Sequence, residues 1–170
     1  WLGVIWVFLK PFCLFLIMNF VFSHLFFKSV PNYSIRLLLG IVLWSFFAEA
    51  SMVGMMSLLS KGDILKKVYL PKWIVIVSST VHSAMAFAFN LVILFLFLFV
   101  YYRIFPGPLQ LMLFALYILL IYGLSLLFSF MTATVIIRFR DLNQIWEVLL
   151  QVLFYASPII YPITSVPEKI

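Results

Sequence analysis

Charge is the scarcest ingredient of this sequence. Eleven Lys or Arg and five Asp or Glu are spread over 170 residues, 9% of the chain, against 66% hydrophobic. A soluble domain of this size needs a polar shell that so few charges cannot build, so the chain reads as an integral membrane protein. The net charge of +6 does not point to nucleic acid, because the basic residues are scattered between apolar runs rather than gathered in a stripe. Cysteine is nearly absent too, and Cys13 alone excludes an internal disulfide or a thiolate metal site. His24 and His82 stand far apart with no second ligand at metal spacing, so neither a metal nor another cofactor is expected. No glycine-rich loop of the GxxxxGK[ST] kind is present to hold a nucleotide, so any ATP-driven task must draw on another subunit.

What is abundant is continuous apolarity. Crossing the hydrocarbon takes about 20 apolar residues in a helix. Segments that approach or exceed this run from Trp1 to Phe27, broken by Lys10-Pro11, from Leu37 to Leu59, from Trp73 to Tyr102 and from Leu109 to Ile137. A shorter fifth runs from about Ile145 to Ile163. Uninterrupted rather than alternating apolarity calls for helices and excludes an outer-membrane barrel. The expected fold is an all-α integral membrane protein in one domain over 1–170, with five crossings and Trp73, Tyr101, Tyr102 and Tyr161 as interfacial anchors. Lys61, Lys66, Lys67, Lys72, Arg138 and Arg140 fall on one side and Lys28, Arg36, Arg103 and Lys169 on the other, which puts the first set in the cytoplasm. No initiator Met precedes Trp1, and the sequence is expected to be a piece of a longer chain.

The connection at 60–72 concentrates four lysines in "KGDILKKVYLPKW". Read as a short helix from Asp63 to Leu70, it has Asp63 as cap, Gly62 permitting the turn before it and Pro71 forbidding its extension. Ile64, Leu65, Val68 and Tyr69 then share one face, with Lys66 and Lys67 on the other. At about two turns such a helix needs a surface to lie on. Lipid headgroups and a cytoplasmic partner both fit.

Three blocks make the sequence resemble a known family. They are "LGVIWVFLKPFCLFLIMNFVF", "LWSFFAEASMVGMMSLLSKGDILKKVYLPKW" and "RFRDLNQIWEVLLQVLFYASPIIYP", which together span most of the chain. "KKVYLP" followed by a basic residue, and "RD" well ahead of "SPIIYP", are the specific parts. With these the chain resembles the membrane permeases of type-2 ATP-binding-cassette exporters, in the branch that exports O-antigen, teichoic acid and related lipid-linked polysaccharides. Leu70 stands where the family more often has Phe, a conservative departure.

The resemblance implies a multi-pass permease of the bacterial cytoplasmic membrane, itself not an enzyme, working as a homodimer with two copies of a separate ATPase subunit. It implies six membrane helices preceded by an interface helix, of which this sequence holds five crossings and lacks both ends. It implies that the cytoplasmic element Asp63, Ile64, Leu65, Lys66, Lys67, Val68, Tyr69, Leu70 and Pro71 docks into the ATPase, with Arg138, Arg140 and Asp141 as a second contact or gate. It further implies that the first and fifth helices line a passage for a lipid-linked glycan, and that the outer end, 157–170, turns back into the membrane as re-entrant helices. Trp6, Glu147, Gln151, Tyr155, Ser157 and Tyr161 are then the candidate lining.

Single residues leave alternatives. Glu147, Gln151 and Tyr155 lie four apart and share a helix face, which suits a polar passage or helix packing equally. Glu147 is expected near the cytoplasmic interface, and Glu49 mid-membrane as a packed carboxyl. Drug or lipid export by the same fold is a competing reading. An ion-coupled transporter relaying protons through Glu49, His82 and Glu147 is another, weakened by the lack of an internal repeat. An intramembrane enzyme lacks a catalytic pair at recognisable spacing.

Overall fold

The structure, a computed structural model, describes residues 2–18, 20–21, 33–99, 103 and 106–160. Six helices follow in order: α1 Leu2–Met18, α2 Tyr33–Ser60, α3 Gly62–Lys67, α4 Lys72–Phe97, α5 Pro108–Val135 and α6 Leu142–Ala156. No strand occurs among the described residues. The protein is an all-α membrane protein. α2, α4 and α5 are long and apolar enough to cross a bilayer. At 28 residues, α2 and α5 are about 42 Å long at 1.5 Å per residue, more than the hydrocarbon thickness. α1 and α6, with 17 and 15 residues, fall short of a full crossing within the described residues. α1 continues through Pro11. The expected anchors Tyr101, Tyr102 and Tyr161 lie outside the described residues, as does most of the stretch expected to be re-entrant.

The ends of the helices follow from local chemistry. Pro71 has no amide to offer the Lys67 carbonyl and pushes Leu70 out of the α region, so α3 stops at Lys67. Gly107 precedes α5, Pro108 occupies its first position, and the Gln110 side chain accepts the Gly107 N–H at 3.0 Å. Ser157, ahead of Pro158, takes φ −80 and ψ 147, and α6 ends there.

α2 is the hub, packed against each of the other described helices. Its contact with α4 and α5 is built from small side chains: Ala50, Ser51, Gly54 and Ser57 face Ser79, Thr80 and Ser83 of α4 and Ser125, Ser129 and Ala133 of α5, all buried. Between apolar helices in lipid no hydrophobic difference favours association, and close approach of small residues supplies the attraction instead. Gly54 marks the tightest point, since a Cβ there would sit 2.6 Å from Ser129 Cβ and 2.9 Å from Thr80 Cγ2. Towards the Tyr33 end the seam widens into an aromatic and aliphatic core, in which Phe46 stacks on Phe87 at 4.2 Å. Towards the Ser60 end it closes on Leu58, Val75, Ile76 and Ala133.

Candidate coupling surface and passage face

The six basic residues assigned to one side by sequence do gather at one end of the bundle, around the ends of α2 and α5 and the starts of α4 and α6. There α2 runs into α3 almost without a break. The Lys61 N–H donates to Ser57 O at 3.2 Å and the Leu65 N–H to Lys61 O at 3.1 Å, so helical bonding passes through the joint. Asp63 therefore lies in the first turn of α3 rather than capping it, and there it pairs with Lys66 at 3.5 Å on an exposed surface. Such a pair contributes little to stability.

The face predicted to be shared by Ile64, Leu65, Val68 and Tyr69 is split, because the helix ends before the last two. Leu65 turns inward onto the cluster of Leu58, Val75, Ile76 and Ala133. Val68, Tyr69 and Leu70 lie beyond the helix in a bend and extended stretch, exposed, with Tyr69 fully so at 100%. The Ile64 side chain lies outside the described residues. Leu65 thus fastens α3 to the bundle, while Tyr69 stands free of it among Lys66, Lys67 and Lys72.

A cleft of about 430 Å³ opens beside α3. Leu58, Asp63, Leu65 and Lys66 line one side, and Lys72, Ile137 and Arg140 the other. α3 and the turn between α5 and α6 are thereby brought together, with Arg140 lining the cleft. Arg138 and Asp141 are exposed on the same turn without lining the cleft.

α6 runs antiparallel to α2. The Trp146 Nε1–H donates to Ser51 Oγ at 3.1 Å, the Phe154 ring lies 5.9 Å from Trp44, and Ile159 reaches Gly40, whose added Cβ would meet Ile159 Cγ2 at 2.8 Å. The Tyr33 hydroxyl then donates to Ile160 O at 2.6 Å, both residues buried. Ser51 is nine residues from the Ser60 end of α2, so Trp146 sits about 14 Å up the helix. Glu147, the next residue, is exposed in the second turn of α6. At the other end, Ala156 stops near the level of Gly40, about 10 Å short of Tyr33. Beyond it residues 157–160 reach Tyr33, with Ile160 buried and Pro158 exposed. The remainder of the stretch expected to be re-entrant, with Tyr161, lies outside the described residues.

α6 buries Leu150 and Phe154 and half-buries Trp146. Glu147, Gln151 and Tyr155 are exposed on a face about 100° further round, and Ser157 turns its hydroxyl to Phe154 O at 3.0 Å. Trp6 is exposed on α1 at 62%. Sequence reading missed Trp146 and the seam. The small residues at fourfold spacing, Ala50 to Gly54 and Ser125 through Ser129 to Ala133, carried the signal for the second.

Comparison with known proteins gives a concordant picture. The family model described as "ABC-2 type transporter" matches residues 1–170. An O-antigen export system permease protein RfbA from Klebsiella pneumoniae is 27% identical over 173 residues, covering 98% of this chain and 64% of the relative. One of the same name from Myxococcus xanthus is 26% identical over 168 residues, covering 99% and 64%. The chain spans about 64% of the length of these curated relatives.

Proposed function

The chain belongs to the ABC-2 type transporter family, and on that premise we propose that it is the permease part of an ATP-driven exporter of lipid-linked polysaccharide. It is a multi-pass protein of the bacterial cytoplasmic membrane. The observation that carries the reading is the unbroken path from α2 into α3, with Tyr69 projecting from a basic surface just beyond it. A fully exposed tyrosine in a segment that also carries Lys66, Lys67 and Lys72 suits a partner that offers an apolar pocket with an acidic rim. A separate ATPase subunit is that partner. Its closure pushes on Val68, Tyr69 and Leu70. Leu65 passes the push to α2, and Arg140 in the cleft passes it to the turn leading into α6.

The cargo follows from the relatives' export of O-antigen and from the exposed face of Glu147, Gln151 and Tyr155. A carboxylate, an amide and a phenol at membrane depth are costly against lipid and suit a hydroxyl-rich polymer, or the water around it, in a passage between two copies of the chain. Ser157, Tyr161 and Trp6 extend that lining. No nucleotide chemistry is assigned to the chain itself.

The test is reconstitution in liposomes with a separate ATP-binding-cassette ATPase subunit. Export of a lipid-linked glycan that needs ATP and is lost in Tyr69→Asp, with the permease still folded, supports the reading. Transport driven by a proton gradient without any ATPase overturns it.

A further inference from the structure

The rotation of α6 about its own axis decides where its polar face points. The Trp146 Nε1–H donates to Ser51 Oγ of α2 at 3.1 Å. The same indole stacks on Phe128 of α5 at 3.9 Å and 25°, and meets Phe47 of α2 edge-on at 6.5 Å. A single side chain therefore joins α2, α5 and α6 at mid-depth. Its N–H demands one direction and its ring plane another. Leu150 and Phe154, the other buried residues of α6, offer apolar surface that tolerates turning.

We propose that Trp146 is a positioning residue that fixes the rotation of α6 and so aims Glu147, Gln151 and Tyr155 at the passage. This rests on the passage reading given above. Consecutive helical residues are about 100° apart, so the bond at Trp146 sets the direction of Glu147 directly and of Gln151 and Tyr155 through the helix. With the indole removed, rotation by a fraction of a turn brings the apolar residues Leu149 and Val152 into the place of the polar ones. Ser51, the acceptor, lies in the helix that continues into α3, so the aim of α6 is referred to the element on which ATP hydrolysis acts.

The experiment uses the permease assembled with its ATPase in liposomes, in a Cys13→Ser background, with single cysteines at Gln151, Tyr155, Leu149 or Val152. A water-soluble thiol reagent reacts with thiolate, which forms in water and not in lipid. In the otherwise unaltered protein the cysteines at 151 and 155 react faster than those at 149 and 152, by about tenfold or more. Trp146→Ala brings the two pairs to within about twofold of each other. Ser51→Ala and Trp146→Phe each narrow the contrast by up to about fivefold, the worth of one hydrogen bond, and combining them adds nothing further because both remove the same bond.

A merely structural role lowers the folded yield and leaves the contrast within the folded fraction unchanged. That result in Ser51→Ala and Trp146→Phe, which keep the packing should Trp146→Ala not fold, overturns the inference and leaves the passage reading standing. Equal reactivity at all four positions before Trp146 is altered overturns the passage reading, and the inference with it.

Discussion

Gly54→Ala is the sharpest test of the packing. The added methyl would land 2.6 Å from Ser129 Cβ and 2.9 Å from Thr80 Cγ2, besides overlapping the Ser129 hydroxyl. That hydroxyl can rotate away, although its bond to Ser125 O at 2.7 Å is lost if it does. Ser129 Cβ cannot move without α5. Restoring ordinary contact requires α5 to retreat from α2 by about 1 Å, in an interface whose cohesion comes from close approach. Overpacking costs about 1 to 3 kcal/mol, and the need to move a whole helix puts this case in the upper part, about 2 to 3 kcal/mol. Alanine's better helix propensity returns up to about 1 kcal/mol, leaving a net loss of about 1 to 2 kcal/mol. Gly123→Ala on α5 is the control, because a Cβ there meets nothing within 4 Å, and it should stabilise by about 0.5 to 1 kcal/mol. The assay is unfolding in mild detergent followed by tryptophan fluorescence. Ser129→Gly added to Gly54→Ala should recover part of the loss, non-additively, with the Thr80 contact keeping the rest. A Gly54→Ala protein as stable as its parent, or a double variant with no recovery, refutes this account of the seam.

Tyr33→Phe removes the hydroxyl that reaches Ile160 O and should cost about 1 kcal/mol or somewhat more in the same unfolding assay, because the carbonyl is left buried and unpaired. Leu65→Ala should cost about 1 to 2 kcal/mol by stripping contacts from the Leu58, Val75, Ile76 and Ala133 cluster. It should also lower the amount of glycan exported for each ATP hydrolysed in reconstituted vesicles. Tyr69→Ala should leave stability within about 0.5 kcal/mol, since the side chain touches nothing that holds the fold together. It should weaken ATPase association by about 2 kcal/mol, or thirtyfold, in a binding titration.

The three long helices were legible because span length and continuous apolarity are properties of a run of residues, independent of neighbours. Leu109 to Ile137 as expected and Pro108–Val135 as observed differ by little. Faces are harder, since in lipid the inward and outward sides of a helix are both apolar. Nothing in the apolar content of α5 says that Ser125, Ser129 and Ala133 are buried while Leu120, Leu124 and Leu127 are exposed. Residue size says it, and composition does not weigh size. The short helix after Ser60 was legible as a place and misread in extent: Pro71 was seen as a stop, but its reach back to the Lys67 carbonyl ends the helix three residues sooner. Trp146 looked like one more aromatic residue until Ser51, 95 positions away, was found beside it.

The hydroxyls of the seam have a mechanical consequence. Ser57, Ser79, Ser125, Ser129 and Thr132 each donate to a carbonyl three or four residues back in their own helix. They satisfy themselves locally and tie no helix to another, whereas the Thr80 hydroxyl, 3.2 Å from that of Tyr122, does link α4 to α5. The seam therefore resists being pulled apart, because separation forfeits many close contacts at once, but it carries few directional bonds that sliding along the helix axes would break. Packed helices of this kind shear. On the coupling proposed above, the small polar residues of α2, α4 and α5 would act as a bearing, on which α2 travels lengthwise when its α3 end is pushed.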